Sequence, residues 1–237
     1  MGEAQYSAVV LGATGNVGGR IAQLLIKNPL CKKLVVVTRR KTAAFAAPKV
    51  FNVVVNMDRL EEEVAPHVQG VEVALAAFGV GKGSTKMPEE EVRKVEIAYP
   101  EAFCRAAKAG GARVCGVMTA AGAHPESGMK YAKIIGEKEK AVESVKFDFL
   151  GIYRPAVILG NASTPNLLSY VMPLLHWAMP SKYHSIHKND LARAMVAQSE
   201  QAYLAIAQGN APKKPIVKIL EYKEMEPFFV KGESDEP

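Results

Sequence analysis

Ser7-Ala8-Val9-Val10-Leu11 is apolar on consecutive positions and stops at a glycine cluster, beyond which Ile21, Leu24 and Leu25 recur at helical spacing. The pattern predicts strand, tight turn, helix. Leu34-Val35-Val36-Val37 within 33–38, and then 50–55, 71–77 and 113–118, repeat the unbroken apolar signal of strands buried on both faces. Helices are expected over 89–108, ended by a left-handed stop at Gly110-Gly111, over 129–144 and over 189–207, with further strands over 148–158 and 216–220. Strands alternating with helices imply βαβ units. The fold class is therefore α/β: a Rossmann-like, doubly wound parallel sheet with helices on both faces, formed by one domain over residues 1–227.

Residues 161–185 break the pattern. Large side chains such as Leu167, Leu174 and Trp177 are interrupted by Pro165, Pro173 and Pro180, so a small irregular lid facing a substrate or partner is expected rather than one long helix. Residues 228–237 read as an acidic, extended tail.

The chain has 237 residues, 49% hydrophobic and 23% charged, which suits one sizeable core and excludes a disulfide-stapled miniprotein. No apolar run reaches the roughly 18 residues of a membrane-spanning helix. Net charge is +6, but three acids, Glu233, Asp235 and Glu236, stand in the last five residues; the first 232 residues carry +9, thirty basic against twenty-one acidic. A basic body suits a polyanion or a phosphorylated small molecule. The cations are dispersed and not interleaved with aromatic rings, which argues against nucleic acid. Cys31, Cys104 and Cys115 lie apart, with no metal spacing, and fit small buried residues of a reducing compartment. With no presequence visible, a cytoplasmic location is expected, with an organelle as the alternative.

Gly12-Ala13-Thr14-Gly15-Asn16-Val17-Gly18 lies directly after the first strand and at the mouth of the first helix. Glycines there let the backbone approach a pyrophosphate, and the free N–H groups of the helix end attract its charge. In NAD-selective folds an acid about 20 residues on holds the ribose 2′-hydroxyl. Here Thr38 takes that place and Arg39-Arg40 follow. A carboxylate would repel a 2′-phosphate whereas a guanidinium pairs with it, so NADP(H) is favoured over NAD(H).

These residues, with Ala76-Ala77-Phe78-Gly79, Tyr131, Gly136-Glu137-Lys138-Glu139 and Tyr153-Arg154-Pro155-Ala156-Val157-Ile158-Leu159-Gly160, resemble the atypical short-chain dehydrogenase/reductases over residues 7–205. Within that group the likeness is to the HIV-1 Tat-interactive-protein-like and, more loosely, the NmrA-like proteins. The resemblance implies NADP(H) cradled by Gly12, Thr14, Gly15, Asn16, Val17 and Gly18, with Ala77, Phe78 and Gly79 along the cofactor and Pro155 and Val157 on the nicotinamide side. It implies an adenine contact after the third strand, at Asn56. It also implies a catalytic Tyr131, itself beside the cofactor, with Thr119 at the hydroxyl position of the preceding strand.

The family's usual tyrosine works with a lysine four residues on, which lowers its pKa and holds the nicotinamide ribose. In this sequence that place is Ile135, and Lys133 points about 200° round the helix from Tyr131. The expectation is a dinucleotide-binding protein with a degraded Tyr-x-x-x-Lys site, serving as a cofactor binder, sensor or subunit of a larger assembly. Two alternatives are an active NADPH-dependent oxidoreductase of a small carbonyl compound and a cofactor-free interaction module. His184 and His187 lack the further ligands of a metal site, and no metal is expected. His124 reads as an exposed loop residue and Asp190 as part of a helix start.

Overall fold

Alternating faces of the same strands feed two separate cores. Ala8 and Val10 of the first strand, with Leu34 and Val36 of the second, point to one side of the sheet, and Val9, Leu11, Val35 and Val37 to the other; all are buried. This two-sided burial is the reason for the unbroken apolar runs. The computed structural model describes residues 4–81, 86–160, 177 and 179–230.

The chain runs β1 (Tyr6–Leu11), α1 (Asn16–Lys27), β2 (Cys31–Thr38), β3 (Val50–Val54), α2 (Leu60–Val64), β4 (Val73–Ala76), α3 (Glu89–Arg93), α4 (Tyr99–Ala109), β5 (Val114–Met118), α5 (Lys130–Glu143), β6 (Phe149–Tyr153), β7 (Ile158–Leu159), β8 (Ile186–His187), α6 (Lys188–Ala207), β9 (Ile216–Leu220) and α7 (Tyr222–Met225). Seven strands form one parallel sheet in the order β3-β2-β1-β4-β5-β6-β9. The chain winds outward from β1 through β2 to β3, then returns to place β4 on the other side of β1. The crevice between the C-terminal ends of β1 and β4 is thus the switch point at which open α/β sheets hold ligands.

Three details differ from the sequence pattern. The strand expected over 148–158 ends at Tyr153, because Pro155 has no N–H to continue the ladder; the chain then turns away, and β7 pairs in parallel with β8 in a second small sheet. The helix expected over 89–108 is interrupted between α3 and α4 by a π-turn, Lys94–Ala98. Pro100 cannot donate to the carbonyl of Glu96 four residues back and its ring crowds that carbonyl, so the helix widens there. Of the two glycines ending α4, only Gly111 takes the left-handed conformation, at φ +111°. Gly110 is instead needed for space, since a Cβ there would overlap the carbonyl of Val68.

Most of the expected lid, residues 161–176 and 178, lies outside the described residues, as do tail residues 231–237. Ahead of that tail, Phe228 and Phe229 pack against the core, and the Phe229 ring meets Tyr222 edge-on at 5.5 Å.

Candidate functional site

Gly12 turns the chain out of β1 with φ +90°, and a Cβ on it would overlap the carbonyl of Ala77 on the neighbouring β4 crossing. Gly18 is equally confined, against the carbonyl of Gly12. These two glycines therefore shape the loop. Gly15 caps α1 without a side-chain hydrogen bond, and no acid lies in the first turn, so the helix presents its free N–H groups. Gly15, Asn16 and Val17 line a cleft of about 600 Å³. Thr14, just before them, is exposed.

The opposite walls come from three places. Ala77, Phe78 and Gly79 follow β4; Met118 ends β5 and Thr119 and Ala120 follow it; Pro155, Ala156, Val157 and Ile158 follow β6. Tyr131 and Ile135 project from α5. The structure thus brings together the glycine loop, the strip after β4, Thr119, Tyr131, Pro155 and Val157. Arg39, Arg40 and Asn56 stand outside the enclosed part, at the ends of β2 and β3. Both arginines are exposed, without an ion pair to any described residue. Asn56 is exposed and uses its Oδ1 to accept from the Asp58 backbone at 3.0 Å.

Glu96 had no signal in the resemblance, and Lys138, within its Gly136-Glu137-Lys138-Glu139 motif, had no role assigned by it; both line this cleft. The π-turn carries Glu96, 1% exposed, and Lys138, also 1% exposed, lies two helical turns beyond Tyr131. Lys138 Nζ donates to Glu96 Oε2 at 3.1 Å and to the Phe78 carbonyl at 3.0 Å. Glu96 Oε1 accepts from the Val80 backbone at 2.8 Å and from the Tyr131 hydroxyl at 3.2 Å. The pair grips the strip after β4 from both ends. Gly79 lies between those ends, where a Cβ would come within 2.7 Å of Glu96 Oε1.

A second ion pair, with Glu139 buried and Arg154 part-buried, begins at the next residue of the same helix. Glu139 accepts from Arg154 Nε at 2.9 Å and from the Thr119 hydroxyl at 2.8 Å. The Tyr153 carbonyl lies 3.2 Å from that hydroxyl. Gly136, just before these residues, lets α5 press against the chain at His124 and Pro125, where a Cβ would overlap backbone. Burial, then the charge of Glu96 and then its hydrogen bond push the Tyr131 phenol above the ordinary tyrosine range. That is opposite to the effect of the family's usual lysine.

The remaining candidates are occupied locally. His187 Nδ1 accepts from the Asn189 backbone at the start of α6, the His184 ring meets Tyr222, and Asp190 pairs with Arg193 at 3.1 Å. His124 is exposed, accepting from the Glu126 backbone. Among the described residues no helix is long and apolar enough to cross a membrane.

The architecture is that of the short-chain dehydrogenases and related epimerases. WbmH of Bordetella bronchiseptica, solved in complex with NAD+, superposes with a TM-score of 0.63 at 15% identity, covering 91% of this chain and 86% of that one. A Burkholderia cenocepacia short chain dehydrogenase in complex with NADP gives 0.58 at 14%, covering 90% and 95%. No family model matches.

Individual relatives are more specific. Protein HTATIP2 of Rattus norvegicus is 31% identical over 156 residues, 65% of this chain and 63% of its own length, so the match spans less than two thirds of that protein. The mitochondrial protein FMP52 of Eremothecium gossypii is 30% identical over 158 residues, 67% of this chain and 69% of its own. The mitochondrial FMP52-1 of Scheffersomyces stipitis is 27% identical over 237 residues, 95% of this chain and 99% of its own. The chain belongs to the family of the HTATIP2 and FMP52 proteins.

Proposed function

We propose that this protein binds NADP(H) in the switch-point cleft and is poor at the family's usual tyrosine-assisted carbonyl reduction. The observation that carries the first half is the uncapped, glycine-lined start of α1 opening on the cleft. Gly15, Asn16 and Val17 would hold the pyrophosphate, and the strip of Ala77, Phe78 and Gly79 the adjoining part of the cofactor. Arg39 and Arg40, directly after Thr38 at the end of β2, where NAD-selective folds carry an acid, support NADP(H) over NAD(H). The bound dinucleotide would supply or take up a hydride. The nucleotides in the solved neighbours support a nicotinamide dinucleotide without choosing between the two forms.

Two features support the second half. Ile135, buried, fills the place four residues beyond Tyr131, and the nearest buried cation, Lys138, spends its charge on Glu96. A role as cofactor sensor or assembly subunit follows. Mitochondrial in the names of the fungal relatives supports that location over the cytoplasmic one expected from the N-terminal residues.

Thermal shift and titration of the whole chain with NADPH and NADH test the reading. Stabilisation growing with NADPH concentration, and weaker with NADH, is expected. Absence of any shift at millimolar dinucleotide would remove it and favour the cofactor-free module.

A further inference from the structure

The two hydroxyl groups of the inner cleft both point their hydrogens into the protein. A hydroxyl has one hydrogen to give, and an ionised carboxylate or a carbonyl can only accept. Tyr131 gives its hydrogen to Glu96, whose other oxygen is held by Lys138. Among the described residues the Thr119 side chain has only Glu139 and the Tyr153 carbonyl as partners, and both are acceptors. Each carboxylate is matched by a cation, the buried Lys138 or the part-buried Arg154, so the wall behind the two hydroxyls is balanced in charge. What Tyr131 and Thr119 turn to the cleft is therefore oxygen lone pairs on a neutral wall.

A carbonyl oxygen brought to these two hydroxyls meets lone pairs and no hydrogen, and an oxyanion is repelled further. Either would have to pull Tyr131 away from a carboxylate that is already committed to it. An ammonium group gains no net opposite charge. A hydroxyl group, by contrast, finds two acceptors with their geometry already fixed. Resting on the dinucleotide reading of the same cleft, we propose that its inner wall selects an uncharged alcohol, whose O–H hydrogen Tyr131 and Thr119 accept, over the corresponding carbonyl compound. The raised ionisation of Tyr131 fits this polarity, since a phenol engaged as donor to a carboxylate is a poor acid toward anything else.

Matched pairs test it: 1-phenylethanol with acetophenone, and cyclohexanol with cyclohexanone, bound to the full chain and measured by saturation-transfer NMR with and without NADP+. One hydrogen bond of the right sense predicts tighter binding of the alcohol in each pair by about fivefold. Tyr131→Phe with Thr119→Val should bring each pair to within about twofold. Replacing the ion pair by apolar residues, Glu96→Leu with Lys138→Met, frees the Tyr131 hydrogen and should invert the preference. The same double variant should lower the alkaline midpoint of the Tyr131 absorbance near the tyrosinate band, because the charge and the hydrogen bond of Glu96 are both removed. Equal or tighter binding of the ketones by the unaltered chain overturns the proposal, as does a preference that survives loss of both hydroxyls. Binding of neither member, while NADP+ still stabilises the chain, overturns it too. If NADP+ and NADPH both fail to stabilise the chain, the dinucleotide reading falls, and the arm without NADP+ decides the alcohol preference alone.

Discussion

Lys138 and Glu96, forty-two residues apart, meet with Nζ 3.1 Å from Oε2 while each side chain is 2% exposed. Breaking such a pair leaves one charge buried and alone, whereas removing both is far milder. Glu96→Leu or Lys138→Met alone should destabilise the chain by about 3–5 kcal/mol, and the double variant by clearly less than the sum. Urea unfolding of the four proteins gives the cycle. Additive losses would show that the two side chains contribute separately.

The strands and the glycine loop were legible because each is written in local residue chemistry. Apolar β-branched runs need burial on both faces, and Gly12 and Gly18 stand where no Cβ fits. The inner wall of the cleft was not legible. Lys138 stands in the Gly136-Glu137-Lys138-Glu139 motif of the resemblance, but its partner Glu96 is 42 residues away on another element, and nothing local in the sequence names it. The one available hint was Pro100, four residues after Glu96, which forces the π-turn that carries this acid. Likewise Thr119 was found as a hydroxyl, but the direction of its hydrogen is set by Glu139, twenty residues away.

The glycine loop separates shape from contact. Gly18→Ala must move backbone, because the new Cβ overlaps the Gly12 carbonyl, and a loss of more than about 2 kcal/mol is expected. Gly15→Ala brings its Cβ only to 3.2 Å of the same oxygen. It should keep the melting temperature within about 3 °C, a loss of up to about 1 kcal/mol, and still weaken NADPH binding. Equal melting losses for the two variants would contradict this division of roles.

Arg39 and Arg40 are exposed and have no acidic partner among the described residues, so their replacement removes little stability. Charged hydrogen bonds to a phosphate are worth about 1.5–3 kcal/mol, so Arg39→Ala with Arg40→Ala should weaken NADPH binding roughly 10–100-fold. NADH, lacking the 2′-phosphate, should be unaffected. Parallel losses for both dinucleotides would place the arginines on a shared part of the cofactor.

Alkali should unfold the protein through its tyrosines. Tyr6, Tyr131 and Tyr153 all ionise above the ordinary tyrosine range, burial being the largest cause in each, with Glu200 adding beside Tyr6 and Glu96 beside Tyr131. A folded-state pKa raised above the unfolded value of about 10 means that the stabilisation is full below that pH and is lost as pH rises beyond it. Denaturation midpoints should therefore fall above about pH 10. Tyr6→Phe should flatten the decline more than Tyr131→Phe, because Tyr131 keeps contact with water. An unchanged slope in Tyr6→Phe would move the cause elsewhere.

Ile135→Lys puts an ammonium one helical turn beyond Tyr131, where the family's usual lysine stands. The side chain it replaces is buried yet lines the cleft, so a lysine there can carry its charge toward the open space. It would also stand one turn from Lys138 and face Glu96, drawing that carboxylate away from the phenol. A positive charge favours the phenolate, so the Tyr131 midpoint should fall toward the ordinary value, and the hydroxyl should regain its capacity to donate. With NADPH and a panel of aldehydes and ketones, the unaltered chain should stay below about 1 turnover per second. Ile135→Lys should exceed the unaltered chain on at least one compound, with Tyr131→Phe in the same background abolishing the gain. A lowered Tyr131 midpoint without any gain would show that the missing lysine is not what limits this cleft.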